Sequence, residues 1–303
     1  MIDLAVATTP FLDMTFMGLG TVPRPGEERY ARELHRTPGG GAITAVGAAR
    51  LGLEAALTGP LGSDAEGAVL RAALEEEGVA LVAPHAGPTA TTVVMPAEGD
   101  RALATYDPGV RTRPEDLEAL EPRAVVCGLE ELPMVPRGAV IYLSLGDDEA
   151  RELAGRPPAA FGEAHALLVN ESEARLLTGV SDAGEAAAAL AALVPAVVVT
   201  RGPHGAVGVI DGRPVAAEGV DAGAAVDTTG AGDLFMAAYV WAELRGASPE
   251  ERLRWAVLYA AMSVTVPTAL GGAATHDRLI TEGTRLGLPA PAASVSGSSS
   301  KEG

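Results

Sequence analysis

The sequence predicts a doubly wound α/β domain, a mostly parallel sheet flanked by helices, with a small β lid. Three observations carry this. Short apolar runs alternate with Ala/Leu/Glu-rich stretches of helical length, the pattern of βαβ units and a parallel sheet. The rhythm breaks where two strand-like runs flank Glu98-Gly99-Asp100 with no helix between them, which is a hairpin pattern. The last third is helical.

In chain order, Leu4–Ala7 reads as the first strand. A helix over Ala42–Leu51 is entered through Pro38-Gly39-Gly40-Gly41, and Ala55–Thr58 is the next strand. Ser63-Asp-Ala-Glu66 has capping-box spacing and opens a helix through Leu70 and Leu74 that Gly78 stops. Thr91–Met95 and Arg101–Thr105 are the arms of the hairpin, which forms a separate small sheet rather than joining the main one. Strands resume at Ala124–Cys127, Ala139–Leu143, Ala166–Val169 and Ala196–Thr200, and a further hairpin turns at Asp211-Gly212. Helices follow at Gly230–Glu243, Pro249–Val264 and Asp277–Leu286. One domain spans 1–288, and the Pro/Ala/Ser/Gly-rich residues 289–303 form a frayed tail.

Composition removes several chemistries. With 22 Lys+Arg against 40 Asp+Glu the formal charge is -18, a field that repels a phosphate backbone and argues against nucleic acid as a partner. The only lysine is Lys301, in the tail, so neither a Walker-A lysine nor a Schiff-base lysine is available to the folded body. One cysteine, Cys127 in the apolar run Ala124–Cys127, excludes an intrachain disulfide and reads as core. His35, His85, His165, His204 and His276 show no metal spacing, and Trp241 and Trp255 read as core. No basic segment precedes an apolar stretch at Met1-Ile2-Asp3, and Ala186–Val199 is broken by Pro195, so a cytoplasmic location without membrane contact is expected.

The sharpest signal is Val226-Asp-Thr-Thr-Gly-Ala-Gly-Asp-Leu-Phe235. Small residues let backbone N–H groups converge at the head of a helix, whose positive end favours an anion. Asp233 in that first turn caps the helix and sets a carboxylate beside the anion site, where it can accept a proton during phosphoryl transfer. A cap and a tight turn alone would also account for the pattern.

The chain resembles the ribokinase family of carbohydrate kinases, also called the PfkB family. The likeness rests on Asp227-Thr-Thr-Gly-Ala-Gly-Asp233, on Gly39-Gly40…Ala49-Arg-Leu-Gly52 followed by Gly59-Pro-Leu-Gly-Ser-Asp64…Gly67, and on Val169-Asn-Glu-Ser-Glu173…Leu177-Thr-Gly179. It runs from about Leu4 to Leu286. It implies an ATP- and Mg²⁺-dependent transfer of the γ-phosphoryl group to a hydroxyl of a sugar or sugar-like alcohol. Asp233 would be the general base, with Gly230, Ala231 and Gly232 as backbone donors to the phosphoryl group. Glu173 would hold Mg²⁺ through water beside Asn170, although Asn170 and Glu173 also have the spacing of a helix cap. Thr200, Gly202 and Gly205 would meet the nucleotide, with Ala260 and Ser263 beside the adenine. Asp227 would serve a monovalent cation such as K⁺. Asp13, Gly39 and Gly40 would bind the acceptor, a carboxylate suiting two hydroxyl donors. The resemblance places lid elements at about 11–38 and 87–106, with a homodimer through them.

Two departures stand out. The asparagine usual after the double glycine falls on Ile43, and Gly146-Asp147-Asp148 stands where an Asp-x-Asn-x-x-Arg segment is common. The acceptor pocket is therefore expected to be altered. A nucleoside kinase of the same family and a non-catalytic sugar or nucleotide sensor are the competing readings.

Overall fold

The computed structural model describes residues 2–82, 87–97 and 100–292. His85, the Glu98-Gly99 turn, Lys301 and most of the tail lie outside the described residues. The chain begins with β1 (Leu4–Ala7) and then leaves the main sheet for β2 (Pro10–Met17) and β3 (Glu33–Gly40). It returns through α1 (Gly41–Arg50), β4 (Ala55–Leu57), α2 (Ala65–Glu76) and β5 (Ala80–Leu81). A second excursion makes β6 (Thr91–Ala97) and β7 (Asp100–Tyr106). Then come α3 (Pro114–Glu118), β8 (Ala124–Cys127), β9 (Val140–Ser144), α4 (Asp147–Glu152), β10 (Ala166–Asn170), α5 (Glu171–Thr178) and α6 (Ala183–Leu190). The strands β11 (Ala196–Thr200), β12 (Ala206–Ile210) and β13 (Arg213–Ala217) precede α7 (Ala231–Leu244), α8 (Pro249–Ser263), α9 (Ala269–Gly272) and α10 (His276–Arg285).

The main sheet has the order β13-β12-β11-β10-β9-β8-β1-β4-β5. Every pairing from β5 to β11 is parallel, and the β12–β13 hairpin closes one edge antiparallel. Strands are added to both sides of β1, so the direction of winding reverses there, and such a reversal opens a crevice beyond the carboxyl ends of the strands. The strands read as continuous apolar runs because both faces are covered. Leu4 and Val6 join Val126, Leu168 and Val198 under α1, α7 and α8, while Ala5, Ala7, Val125, Leu167 and Val197 face α5 and α6. Cys127 belongs to the second layer, and burial pushes its thiol up to about 12. Trp241 and Trp255 are core and meet edge to face at 5.7 Å.

The small sheet, β3-β2-β6-β7, stands apart from the main one. The hairpin of β6 and β7 is half of it; β2 and β3 are strands that the local pattern hides. Two caps need correction. The α2 helix is capped by Asp64, not Ser63, through a bond from the Gly67 N–H. At α7 the N-cap is Gly230, with no side-chain cap, and Asp233 stands three residues further on. The Asp211-Gly212 turn has positive φ at both residues, 50° and 73°, the twist a tight hairpin requires.

Candidate active site

The head of α7 is held from three directions. Gly230 has φ 71°, a left-handed conformation that lets the chain turn into the helix. A Cβ there would lie 2.5 Å from the Ala269 Cβ and 2.6 Å from the Ile43 Cδ1, so α1 and α9 close on this residue from both sides. Asp227 fixes the loop ahead of it: its Oδ1 accepts the Thr229 N–H at 2.9 Å and its Oδ2 accepts the Thr268 N–H at 3.0 Å. The first N–H groups of the helix, those of Gly230, Ala231, Gly232 and Asp233, have no intrahelical acceptor, and the Asp233 N–H is met by its own carboxylate. The Ala231 N–H is partly used, donating to Thr228 O at 3.4 Å.

Asp233 is half-buried in this first turn. The Thr44 hydroxyl of α1 approaches its Oδ1 at 3.3 Å and its carbonyl oxygen at 3.4 Å. Removal from bulk water pushes the carboxyl up to about 7, against the opposing pull of Thr44, the Arg101 charge and its own backbone N–H. A carboxylate at that value is suited to take a proton near neutrality.

The second carboxylate comes from the small sheet. Asp13 lies within β2 and is 6 % exposed. Gly39 opposes this region from β3, and a Cβ on it would stand 2.2 Å from the Asp13 Cγ; its lack of a side chain is what admits the carboxyl. Asp13 pairs with Thr92 in register and accepts a hydrogen bond from it, while Thr92 and Thr105 hydroxyls meet at 3.2 Å. Burial pushes Asp13 up to about 7, and the charges of Asp233 and Asp227 add to the rise. The Asp233 charge therefore reaches Asp13. Gly40 adjoins them as the residue that caps α1.

Arg101 completes the group and was not among the expected residues. Residues 101, 103 and 105 share one face of β7, so Arg101 lies on the Thr105 side of the sheet. Its Nη1 donates to the Thr228 hydroxyl at 2.9 Å, joining the small sheet to the loop ahead of α7. Its charge lowers both Asp13 and Asp233. The signal available in the sequence was weak: a lone arginine on a hairpin, in a chain whose only lysine is in the tail. Thr44 had a similar trace, a hydroxyl in the otherwise apolar run Ala42–Ala49.

Ile43, where the resemblance has an asparagine, is 1 % exposed and packs on Gly230, so it wedges the head of α7. Its position on the α1 face turned to α7 decides this. Ser263 is corrected: it is fully buried, and its hydroxyl donates to Ala260 O at 2.8 Å beneath α9. A serine in a last helical turn readily bonds back in this way, and it presents no free hydroxyl to a nucleotide. Ala260 is half-buried.

At the carboxyl edge of the main sheet, Asn170 and Thr200 stand opposite each other at the ends of β10 and β11. Gly202 follows in a short turn closed by Arg201 N–H donating to Gly205 O at 2.8 Å. Asn170 and Glu173 form a complete capping box: Glu173 Oε2 accepts the Asn170 N–H at 2.8 Å, and Asn170 Oδ1 accepts the Glu173 N–H at 2.9 Å. Asn170 Nδ2 adds a bond to Glu173 Oε1 at 2.7 Å. Burial pushes Glu173 up to about 7, with Asp147 and Glu149 adding to the rise. A cation would relieve that crowding. Among the described residues no three His, Cys, Asp or Glu side chains converge to hold a metal directly.

The sequence profile of the pfkB family of carbohydrate kinases matches residues 13–127 and 140–275. The chain is 30% identical over 276 residues to a ribokinase of Bacillus subtilis, covering 85% of this chain and 91% of that one. A ribokinase structure from Arabidopsis thaliana, complexed with ribose and ATP, superposes with a TM-score of 0.77 at 27% identity, covering 92% and 98% of the two chains. A proposed ribokinase II from E. coli, solved with ATP and Mg²⁺, shares the fold with a TM-score of 0.78 at 18% identity over 94% and 100%.

Proposed function

The chain belongs to the PfkB family of carbohydrate kinases, and from that premise we propose that it moves the γ-phosphoryl group of ATP to a hydroxyl of a small neutral sugar. The observation that carries this is the pair of carboxylates, Asp13 and Asp233, each pushed up to about 7 and both within reach of the Arg101 charge near the head of α7. Asp13 accepts hydroxyl hydrogen bonds and orients the sugar, with Gly39 and Gly40 allowing close approach. Asp233 takes the proton of the attacking hydroxyl as the new O–P bond forms and the bond to the ADP oxygen breaks. The N–H groups at Gly230, Ala231 and Gly232 stabilise the migrating group, each worth a few kcal/mol in such sites. Arg101 supplies positive charge from the small sheet, which acts as a lid that excludes water.

Asn170, Thr200, Gly202, Gly205 and Ala260 form the nucleotide side. Glu173 would hold Mg²⁺ through water, and the ion would supply neutralisation of phosphate charge. Asp227, with the buried and unpartnered Thr229 hydroxyl beside it, is the candidate for a monovalent cation such as K⁺. Exposed Leu34, Leu103 and Tyr106 on the edge strands of the small sheet support a homodimer through that sheet.

An ATP-consumption assay over a panel of pentoses, hexoses and nucleosides, with and without Mg²⁺, tests the reading. ADP release with a free sugar, ribose foremost, and only with the divalent ion is the expected result. Turnover confined to nucleosides would replace the acceptor assignment, and binding without ADP release would make the protein a sensor.

A further inference from the structure

The chemistry above leaves one conspicuous segment unused, Gly59-Pro-Leu-Gly-Ser-Asp64…Gly67, between β4 and the first turn of α2. Asp64 caps α2 by accepting the Gly67 N–H on Oδ1 at 2.9 Å, and capping requires no more than that. The carboxylate does more. Its Oδ1 also accepts the Thr89 hydroxyl at 2.5 Å, and its Oδ2 accepts the Thr89 N–H at 2.7 Å. The Thr89 hydroxyl oxygen in turn accepts the Gly62 N–H at 3.1 Å. A Cβ on Gly67 would lie 2.1 Å from the Gly62 carbonyl oxygen, so the turn, the cap and Thr89 form one tight unit.

Thr89 is buried and stands two residues ahead of β6. The next residue, Ala90, accepts the Leu12 N–H at 2.9 Å, and β6 then runs beside β2 with Thr92 opposite Asp13. We propose that Asp64 is a positioning residue for acceptor recognition, riveting the start of β6 to the head of α2 so that Thr92 is held against Asp13. It acts along Thr89, Ala90 and Leu12 and touches no substrate. Partial burial opposes its charge, but the Thr89 and Gly67 bonds hold its carboxyl below the usual range, so it stays an acceptor near neutrality. The inference rests on Asp13 binding the acceptor.

Asp64→Asn separates riveting from capping. Asparagine caps a helix as well as aspartate, but its amide nitrogen cannot accept the second bond from Thr89. Amide hydrogen exchange on the full chain should show about tenfold weaker protection over Leu12 and Thr91–Val94, with α2 unchanged. The KM for the sugar should rise about tenfold while the KM for ATP stays within about twofold. Thr89→Val should shift both readouts the same way, and Thr89→Ser should restore them. Unchanged protection at β6, equal losses in α2 and β6, or weaker protection with an unmoved sugar KM would each overturn the inference. If the wild-type protein phosphorylates no sugar, the proposed function fails by itself, and hydrogen exchange still tests the rivet.

Discussion

The proposed phosphoryl side of the site is made of main chain at the head of a packed helix, whereas the proposed acceptor side is made of side chains on a sheet outside the main core. On the first side, Gly230 sits between Ile43 and Ala269, and Asp227 bonds two backbone N–H groups, so the donors are fixed before any ligand arrives. On the second, Asp13, Thr92 and Arg101 come from β2, β6 and β7, and Arg101 ties that sheet to the loop ahead of α7. The difference teaches where each property resides. Under the proposed function the rate is assigned to the first side and selectivity to the second, and Arg101 bonding Thr228 is where they meet.

Changes on the two sides should therefore differ in kind. The largest effect is expected for Asp233→Asn, which should lower kcat by about 10²–10⁴-fold while calorimetry shows nucleotide binding retained. Near-normal turnover would remove Asp233 from its role. Asp13→Asn should act mainly on the sugar, raising its KM by roughly 10–100-fold with little change in the KM for ATP, as steady-state kinetics would show. An equal effect on both substrates would erase the division.

Glycine substitutions sharpen the comparison within the phosphoryl side. Gly230→Ala combines φ 71° with contacts near 2.5 Å, so thermal unfolding should reveal a loss of about 1–3 kcal/mol. Gly232 has nothing within 4 Å of where a Cβ would stand, so Gly232→Ala should fold at least as well, gaining up to about 1 kcal/mol. Lost activity in that well-folded variant would mean that the open space belongs to the ligand.

The smallest effect concerns pH and distinguishes function from stability. Activity, followed as kcat/KM for the sugar, should fall as pH drops below about 7, because protonated Asp233 cannot serve as base. Stability should run the other way. Asp13, Asp233 and Glu173 are raised to about 7 in the fold, from about 4 in the unfolded chain. The folded state then binds more protons between those values, so the stabilisation is complete below about pH 4 and is lost as pH rises through 7. The ligand-free Tm should thus fall by at least ~2 °C between pH 5.5 and 8, with a smaller drop in Asp233→Asn.

How much was legible follows the same division. Val226–Phe235 could be read because turn, helix head and carboxylate are consecutive, and local backbone rules connect them. The parallel strands were readable because burial on both faces leaves unbroken apolar runs. The strands β2 and β3 were not, since Phe11-Leu-Asp-Met-Thr-Phe-Met17 mixes apolar residues on both faces and shows no clean alternation. Cap spacing proposed Ser63 where the fold uses Asp64, because Thr89, far along the chain, engages the second residue.

By itself the sequence determined the α/β class, the glycine turn that opens α7 with Asp233 in its first turn, and the absence of lysine chemistry from the body, all set by residues close together or by composition. Only the tertiary structure decided that Ile43 wedges Gly230, that Ser263 spends its hydroxyl on its own helix, and that Arg101 and Thr44 reach the site. Those outcomes depend on which helix faces and sheet edges meet, and such contacts join residues whose separation along the chain carries no trace of their approach.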